Sequence, residues 1–202
     1  MKSLVYDKIR LGVAVLLYLC ATSWADAKVK LPALISDGMV LQREQSVKVW
    51  GTADAGESIT VKFQKKSYHA TADANGRWSI TLPPLKAGGP FLMQINDIKL
   101  NDILVGDVWL CSGQSNMELP VKRVMDMFSN EILNYNNEKI RHILIPQKYN
   151  FHAPQEEISA TSWKTLTQKN VMEFSALAYF FAKEMYEKTG IPVGLINSSW
   201  GD

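Results

Sequence analysis

The residues best suited to chemistry form one block in the middle of the chain, Gly106 to Met117, which reads GDVWLCSGQSNM. The apolar run Val105–Cys111 predicts a buried strand, and Gly113 permits a sharp turn between that strand and Ser115. Catalytic groups of open α/β sheets gather at the carboxyl ends of strands. A serine there could attack a carbonyl carbon while backbone N–H groups bind the oxyanion. The block is not the G-x-S-x-G elbow of α/β-hydrolases, because Met117 occupies the second glycine position. A helix cap is the competing interpretation of Ser115, since a serine after a strand is often a cap.

A nucleophilic serine needs a base, and the three histidines are the first candidates. None of His69, His142 and His152 has an aspartate three residues before it. His69 lies in a strand-rich region, and the other two flank a predicted strand and a polar loop, so we expect surface or packing roles for all three. The chain has no Cys/His cluster with metal-ligand spacing and no Gly-rich phosphate loop. The sequence therefore predicts no metal site and no phosphate-cofactor site.

The first half of the chain predicts strands that could position this block. Val47–Gly51, Ser58–Phe63 and Trp78–Leu82 alternate apolar and polar residues, and turn residues separate them. Asn75-Gly76 is the strongest hairpin signal, because a type I′ turn needs positive φ at both central residues. We expect a small antiparallel β-sandwich over residues 28–103.

From residue 104 to 202 the pattern changes to strand, loop and helix. Val105–Cys111, Lys139–Ile145 and Val193–Asn197 predict buried strands. A helix is predicted over Val171–Lys188, with Asn170 and Glu173 as its capping box, Gly190 and Pro192 after its end, and one apolar face made of Phe174, Leu177, Ala178, Phe181 and Met185. This order favours a partial α/β domain with a parallel sheet.

Composition and the N-terminus bound the functional class. The 202 residues are 47% hydrophobic and 21% charged, which excludes a disordered chain, and a net charge of +2 argues against a nucleic-acid-binding face. Residues 1–27 combine basic residues, a short apolar run and Ala25-Asp-Ala27, which predicts a secretory signal rather than a membrane span. We therefore expect an exported protein, periplasmic or extracellular. Loss of Cys20 with the signal would leave Cys111 as the single cysteine and exclude an internal disulfide.

Several ordered motifs resemble the sialate O-acetylesterase family, a group of SGNH-type carbohydrate esterases. The first is Gly106–Met117, the Ser115 block. The others are Ser36–Arg43, Val49–Gly51, Ala72–Trp78, Ala87–Pro90, Phe174–Ala182 and Ile191–Gly201. The resemblance implies a β-domain followed by the first part of an SGNH-like hydrolase domain.

What the resemblance implies is removal of O-acetyl groups from sugars, without a cofactor. Ser115 would be the nucleophile, its own backbone N–H would bind the oxyanion, and Gly201 would supply a second oxyanion donor. Asp202 stands where the family has another glycine, and the family's Asp-x-x-His pair, which supplies the triad acid and base, is absent from this chain. Trp163 and Trp200 could stack on a sugar or belong to the core.

A second hypothesis is a truncated, catalytically silent remnant whose β-domain binds or packs against a partner. About three strand–helix repeats fit after residue 103, since a βαβ unit takes roughly 30 residues. We expect such a partial sheet to leave Val105–Cys111 or Val193–Asn197 at an open apolar edge.

Overall fold

The computed structural model describes residues 29–155, 157–158 and 161–201. The predicted secretory signal, residues 1–27, lies outside the described residues. Within the described ranges, no helix is both long enough and apolar enough to cross a membrane.

Strands dominate the described part of the chain. They are β1 Val40–Gln42, β2 Val47–Thr52, β3 Ser58–Phe63, β4 Lys66–Thr71, β5 Arg77–Leu82, β6 Gly88–Ile95, β7 Ile98–Gly113, β8 Asn137–Leu144, β9 Lys164–Leu166 and β10 Val193–Ser199. The α-helices are α1 Ser115–Glu118, α2 Met125–Leu133 and α3 Ala176–Thr189, with single 3₁₀ turns at Val121–Arg123 and Val171–Glu173.

The strands form one large mixed sheet and one small sheet. The large sheet has the order β4-β3-β6-β7-β10-β8-β9, with β1 parallel to β7, and the small sheet pairs β2 with β5. Strand β10 pairs in parallel with β7 on one side and with β8 on the other, which confirms the parallel sheet predicted for the second half of the chain. Buried side chains of both sheets meet in one apolar core, to which Val49, Phe63, Trp78 and Ile103 belong.

Strand β7 carries the chain from the antiparallel part of the sheet into the parallel part. Its first half, Ile98–Val105, pairs with β6, and its second half, Asp107–Gly113, pairs with β10. Gly106 separates the two halves, and a Cβ there would lie 2.6 Å from the carbonyl carbon of Pro192. The close approach of the segment before β10 therefore requires glycine. The boundary that the sequence predicts near residue 103 falls inside this strand.

The predicted hairpin at Asn75-Gly76 is wrong. Only Gly76 has positive φ (72°), and the turn is held instead by Asp73, whose Oδ1 accepts the backbone N–H of Asn75 at 2.8 Å. The strands on either side, β4 and β5, lie in different sheets. The two central residues of the β3–β4 hairpin, Gln64 and Lys65, both have positive φ (46° and 64°), although neither is glycine.

The predicted helix begins later than expected and buries only part of the predicted face. Phe174 is extended (ψ 149°), and Ser175 is the N-cap, its Oγ accepting the N–H of Ala178 at 3.3 Å. The predicted capping box at Asn170 is therefore wrong, while Gly190, with φ 67°, ends the helix as expected. Of the predicted apolar face, Leu177 and Phe181 are exposed. The helix buries Ala178 of that face together with Ala176, Tyr179 and Ala182.

An open apolar edge is present at one of the two predicted places. Strand β10 lies between β7 and β8, so Val193–Asn197 is not the open one. The second half of β7 has β10 on one side, and no described strand pairs with its other side beyond residue 106. There Trp109 and Leu110 on β7 and Leu177 and Phe181 on α3 are exposed, and the rings of Trp109 and Phe181 pack at 5.0 Å. We call these four residues the open edge.

Candidate functional site

Ser115 lies where the sequence analysis expects it, just after the carboxyl end of β7. Gly113 ends the strand with φ 145°, a conformation that L side chains rarely adopt, and Ser115 is the first residue of α1. Its side chain is exposed. Among the described residues, none forms a hydrogen bond with the Ser115 hydroxyl.

The neighbouring strand, β10, ends in a hydrogen-bonded turn that approaches Ser115. The buried Asn197 Oδ1 accepts two hydrogen bonds from Ser199, one from Oγ at 2.6 Å and one from the backbone N–H at 3.1 Å. The Trp200 N–H donates to the Gly113 carbonyl at 2.8 Å, which extends the pairing of β7 and β10 by one residue. These contacts fix the direction in which the chain continues to Gly201.

Gly201 packs directly on the backbone of Ser115. A Cβ on Gly201 would lie 3.1 Å from the Cα and 3.3 Å from the N of Ser115. Contacts this short are tighter than ordinary packing, so a side chain at position 201 would push the two segments apart. The structure therefore brings together the two residues that the resemblance assigns to the oxyanion hole.

Glu118 completes this corner, and the sequence analysis missed it. Its Oε2 accepts a hydrogen bond from the Gly201 N–H, and its Oε1 accepts one from Nε2 of Gln147 at 2.9 Å. Glu118, Gly201 and Gln147 follow β7, β10 and β8, so one carboxylate joins the ends of three parallel strands. A carboxylate three residues after the serine, within one helical turn, is the signal that could have indicated it.

A hollow of about 210 Å³ lies beside this corner. Gln147, Ser199 and Trp200 are among its lining residues, and the Trp200 ring packs against Tyr149 with a centroid distance of 4.6 Å. Trp200 is thus available to a ligand at this end of the sheet. Trp163 is not, because it is buried and its indole N–H donates to the Leu34 carbonyl at 3.1 Å.

None of the three histidines bonds to Ser115. His142 is buried in β8, its ring stacks on Phe174 at 4.4 Å, and burial lowers its pKa to about 4. His69 is exposed, with Nδ1 3.2 Å from the Thr60 hydroxyl, and His152 is also exposed. All three occupy the packing or surface positions that the sequence analysis expects.

Metal binding and the Cys111 thiol are the other chemical possibilities at this end of the sheet. In the described ranges no group of three or more His, Cys, Asp or Glu residues is arranged to hold a metal ion. Cys111, on β7, is buried in an apolar core, and this burial raises the pKa of its thiol. A raised pKa keeps the thiol protonated and a weak nucleophile, so Ser115 is the more accessible candidate nucleophile of this block.

The curated proteins to which the chain is similar share one name. No protein-family model matches the chain. It is 30% identical to the human sialate O-acetylesterase over 213 aligned residues, and 28% identical to the mouse enzyme. The human alignment covers 95% of this chain and 40% of the human protein. The chain thus spans about 40% of the length of the curated relatives that it matches.

A solved structure agrees with these relatives. The chain superimposes on a carbohydrate acetylesterase from Xanthomonas citri with a TM-score of 0.81 and 39% sequence identity, covering 86% of this chain and 41% of that one. The sequence match and the shared fold point to one group of proteins. By sequence the chain is similar to sialate O-acetylesterases, and by sequence and fold it is similar to a carbohydrate acetylesterase.

Proposed function

We propose that the chain carries the nucleophile and part of the oxyanion hole of a carbohydrate O-acetylesterase. One observation carries the proposal: Gly201, after β10, packs on the backbone of Ser115, after β7. Two backbone amides beside an exposed serine suit the tetrahedral intermediate of acyl transfer. The relatives, named as sialate O-acetylesterases and a carbohydrate acetylesterase, support an acetylated sugar as the substrate class.

The proposed reaction has two steps. Ser115 Oγ forms a bond to the acetyl carbonyl carbon and loses its proton, the bond from that carbon to the sugar oxygen breaks, and the sugar oxygen takes up the proton that the serine has lost. Water then attacks the acetyl-serine, releases acetate and restores the serine hydroxyl. The role of this chain is to present Ser115 and to stabilise the oxyanion of both tetrahedral intermediates.

The Glu118 carboxylate competes with the substrate for one donor of the proposed oxyanion hole. In this structure its carboxylate accepts the Gly201 N–H, the group that would bind the oxyanion. A substrate carbonyl therefore has to displace the Glu118 carboxylate from that N–H before Gly201 can contribute. The Ser115 N–H is subject to no such competition, because the hydrogen bonds of Glu118 involve Gly201 and Gln147.

The test is hydrolysis of 4-nitrophenyl acetate and of an O-acetylated sugar by the purified chain. We expect Ser115→Ala to lower the rate to background, since removing the nucleophile removes the acetyl-enzyme. Ser112→Ala is the matched control, because Ser112 is an exposed serine three residues earlier. Equal hydrolysis by the Ser115 variant and the unmodified chain would exclude Ser115 from the mechanism.

The competing function is a catalytically silent binding module. It is favoured by the positions of His69, His142 and His152, none of which supplies a base to Ser115 in the described part of the chain. The same assay separates the two functions. A silent module shows no hydrolysis above background with or without Ser115, whereas a partial esterase shows hydrolysis that depends on it.

A further inference from the structure

The small sheet bears a cleft that the proposed esterase reaction does not use. Lys48, Trp50 and Thr52 alternate along β2 and share its outward face. The register of the sheet places Trp50 opposite Ser79 and Thr52 opposite Arg77 on β5. The cleft over this face has a volume of about 480 Å³, which is within the usual range for small-molecule sites.

Trp50 supplies the accessible aromatic ring of this cleft. It is half-buried, so it packs against the core and still presents part of its ring to the cleft. Trp78 also borders the cleft but is 4% exposed, and the register places it opposite Gly51, on the core face of the small sheet. Trp50 is therefore the ring on which a ligand at the outward face can stack.

The charges around the tryptophans are balanced. Lys48 and Arg77 contribute positive charge, and Asp73 and Glu157 contribute negative charge. The Asp73 carboxylate is held in place, because its Oδ1 accepts the backbone N–H groups of Asn75 and Arg77 at 2.8 and 2.9 Å. A phosphate ligand would favour a surplus of cations. Donors and acceptors of both signs around an aromatic ring suit an uncharged ligand rich in hydroxyl groups.

A sugar residue has this chemistry. Its C–H face packs on an aromatic ring, as apolar surfaces do on Trp, and its hydroxyl groups both donate and accept hydrogen bonds. Glu157 also lines the hollow beside Trp200, so the cleft and the candidate catalytic site share a wall. One glycan chain could therefore contact both places.

We propose that the β2–β5 cleft is a second carbohydrate site, which binds neutral sugar residues of a glycan by stacking on Trp50. It does not include Ser115, so sugar binding there is tested independently of the proposed hydrolysis. Its expected role, which rests on the proposed function, is to hold the glycan while an acetylated residue reaches Ser115.

The test is a titration of the full chain with xylotetraose, mannotetraose and cellotetraose at millimolar concentration, followed by the indole N–H resonances of the tryptophans. We expect at least one of these sugars to shift the Trp50 resonance and to leave that of the buried Trp163 in place. No shift of the Trp50 resonance with any of the three sugars would overturn the proposal.

Variants locate the binding. Trp50→Ala should weaken binding at least about tenfold, an affinity change that calorimetry resolves. Because Trp50 also packs on the core, Ser79→Glu is the second variant: position 79 is exposed, and the longer charged side chain covers the Trp50 face without removing core contacts. Phe128→Ala, an exposed aromatic residue on α2, is the control. Unchanged binding by Ser79→Glu would contradict stacking on Trp50, whatever the outcome of the Ser115 assay.

Discussion

The two halves of β7 are parts of one strand, yet they differ in what surrounds them. The first half, Ile98–Val105, pairs with β6 and, at its end, also with β1, and Ile103, Leu104 and Val105 are fully buried. The second half, Asp107–Gly113, pairs only with β10 among the described strands, and Trp109 and Leu110 are 43% and 68% exposed.

The difference separates the part of the strand that stabilises the fold from the part that carries the candidate site. Apolar burial stabilises a fold in proportion to the area removed from water, and the first half has more of its apolar area buried. One side of the second half pairs with β10, and this pairing places Gly201 beside Ser115. On its other side, Trp109 and Leu110 remain exposed to solvent. Exposed apolar patches of this kind are typical of surfaces that contact another protein segment.

The largest expected effect comes from truncating the same residue type in each half. Leu104→Ala should lower the free energy of unfolding by about 3 kcal/mol, because a fully buried leucine leaves a cavity. Leu110→Ala should change it by less than about 0.5 kcal/mol, because Leu110 is mostly exposed. Urea unfolding of both variants measures the difference. Equal losses would show that the second half is as well enclosed as the first.

The second prediction concerns the pH dependence of stability, which we trace to His142, a buried residue of β8. His142 lies in β8 under Phe174, and burial lowers its pKa from 6.5 to about 4. In the unfolded chain the imidazole takes up a proton as the pH falls below 6.5, while in the folded chain it stays neutral down to about 4. Stability is therefore complete above pH 6.5 and falls between pH 6.5 and 4, by roughly 3 kcal/mol in total.

The measurement is urea unfolding at about pH 7.5 and about pH 4.5. His142→Phe keeps an aromatic ring on Phe174 and should remove most of the loss of stability on acidification. His69→Ala, at an exposed histidine, should leave that loss unchanged. A pH dependence that is the same in the unmodified chain and in His142→Phe would assign the acid sensitivity to other groups.

The smallest expected effect concerns Glu118, at the end of the second half of β7. Glu118→Gln should raise kcat for acetyl esters about three- to tenfold, because a neutral amide binds the Gly201 N–H less strongly than a carboxylate does and adds no negative charge beside the oxyanion. The control is Glu184→Gln, which neutralises an exposed carboxylate paired with Lys188 on α3. A fall in kcat for Glu118→Gln alone would mean that the carboxylate is needed where it lies.

Short-range patterns in the sequence were enough to predict the parallel strands and the place of Ser115. Val105–Cys111 and Val193–Asn197 are mostly apolar, and such runs are typical of neighbouring strands in parallel sheets, although Trp109 and Leu110 in the first run are exposed. They were not enough to predict that β7 continues through residue 103. Gly106 looks like a break in the sequence, whereas in the fold its missing side chain admits the Pro192 carbonyl.

Other features depend on contacts that no local pattern encodes. The positive φ angles of Gln64 and Lys65 accompany the tight β3–β4 register, which overrides their preferences. Leu177 has the spacing of a core residue but lies on the open edge. The contacts of Glu118 with Gly201 and Gln147 are visible only after three strand ends have been brought together.

The contact between Glu118 and Gly201 also bears on how the chain folds. It joins residues 83 positions apart in sequence, whereas β6 and the first half of β7 form a hairpin with a two-residue connection. Local pairings close small loops and form early, while distant pairings pay a larger loop-closure entropy first. The corner around Ser115 is therefore expected to assemble after the β6–β7 hairpin has formed.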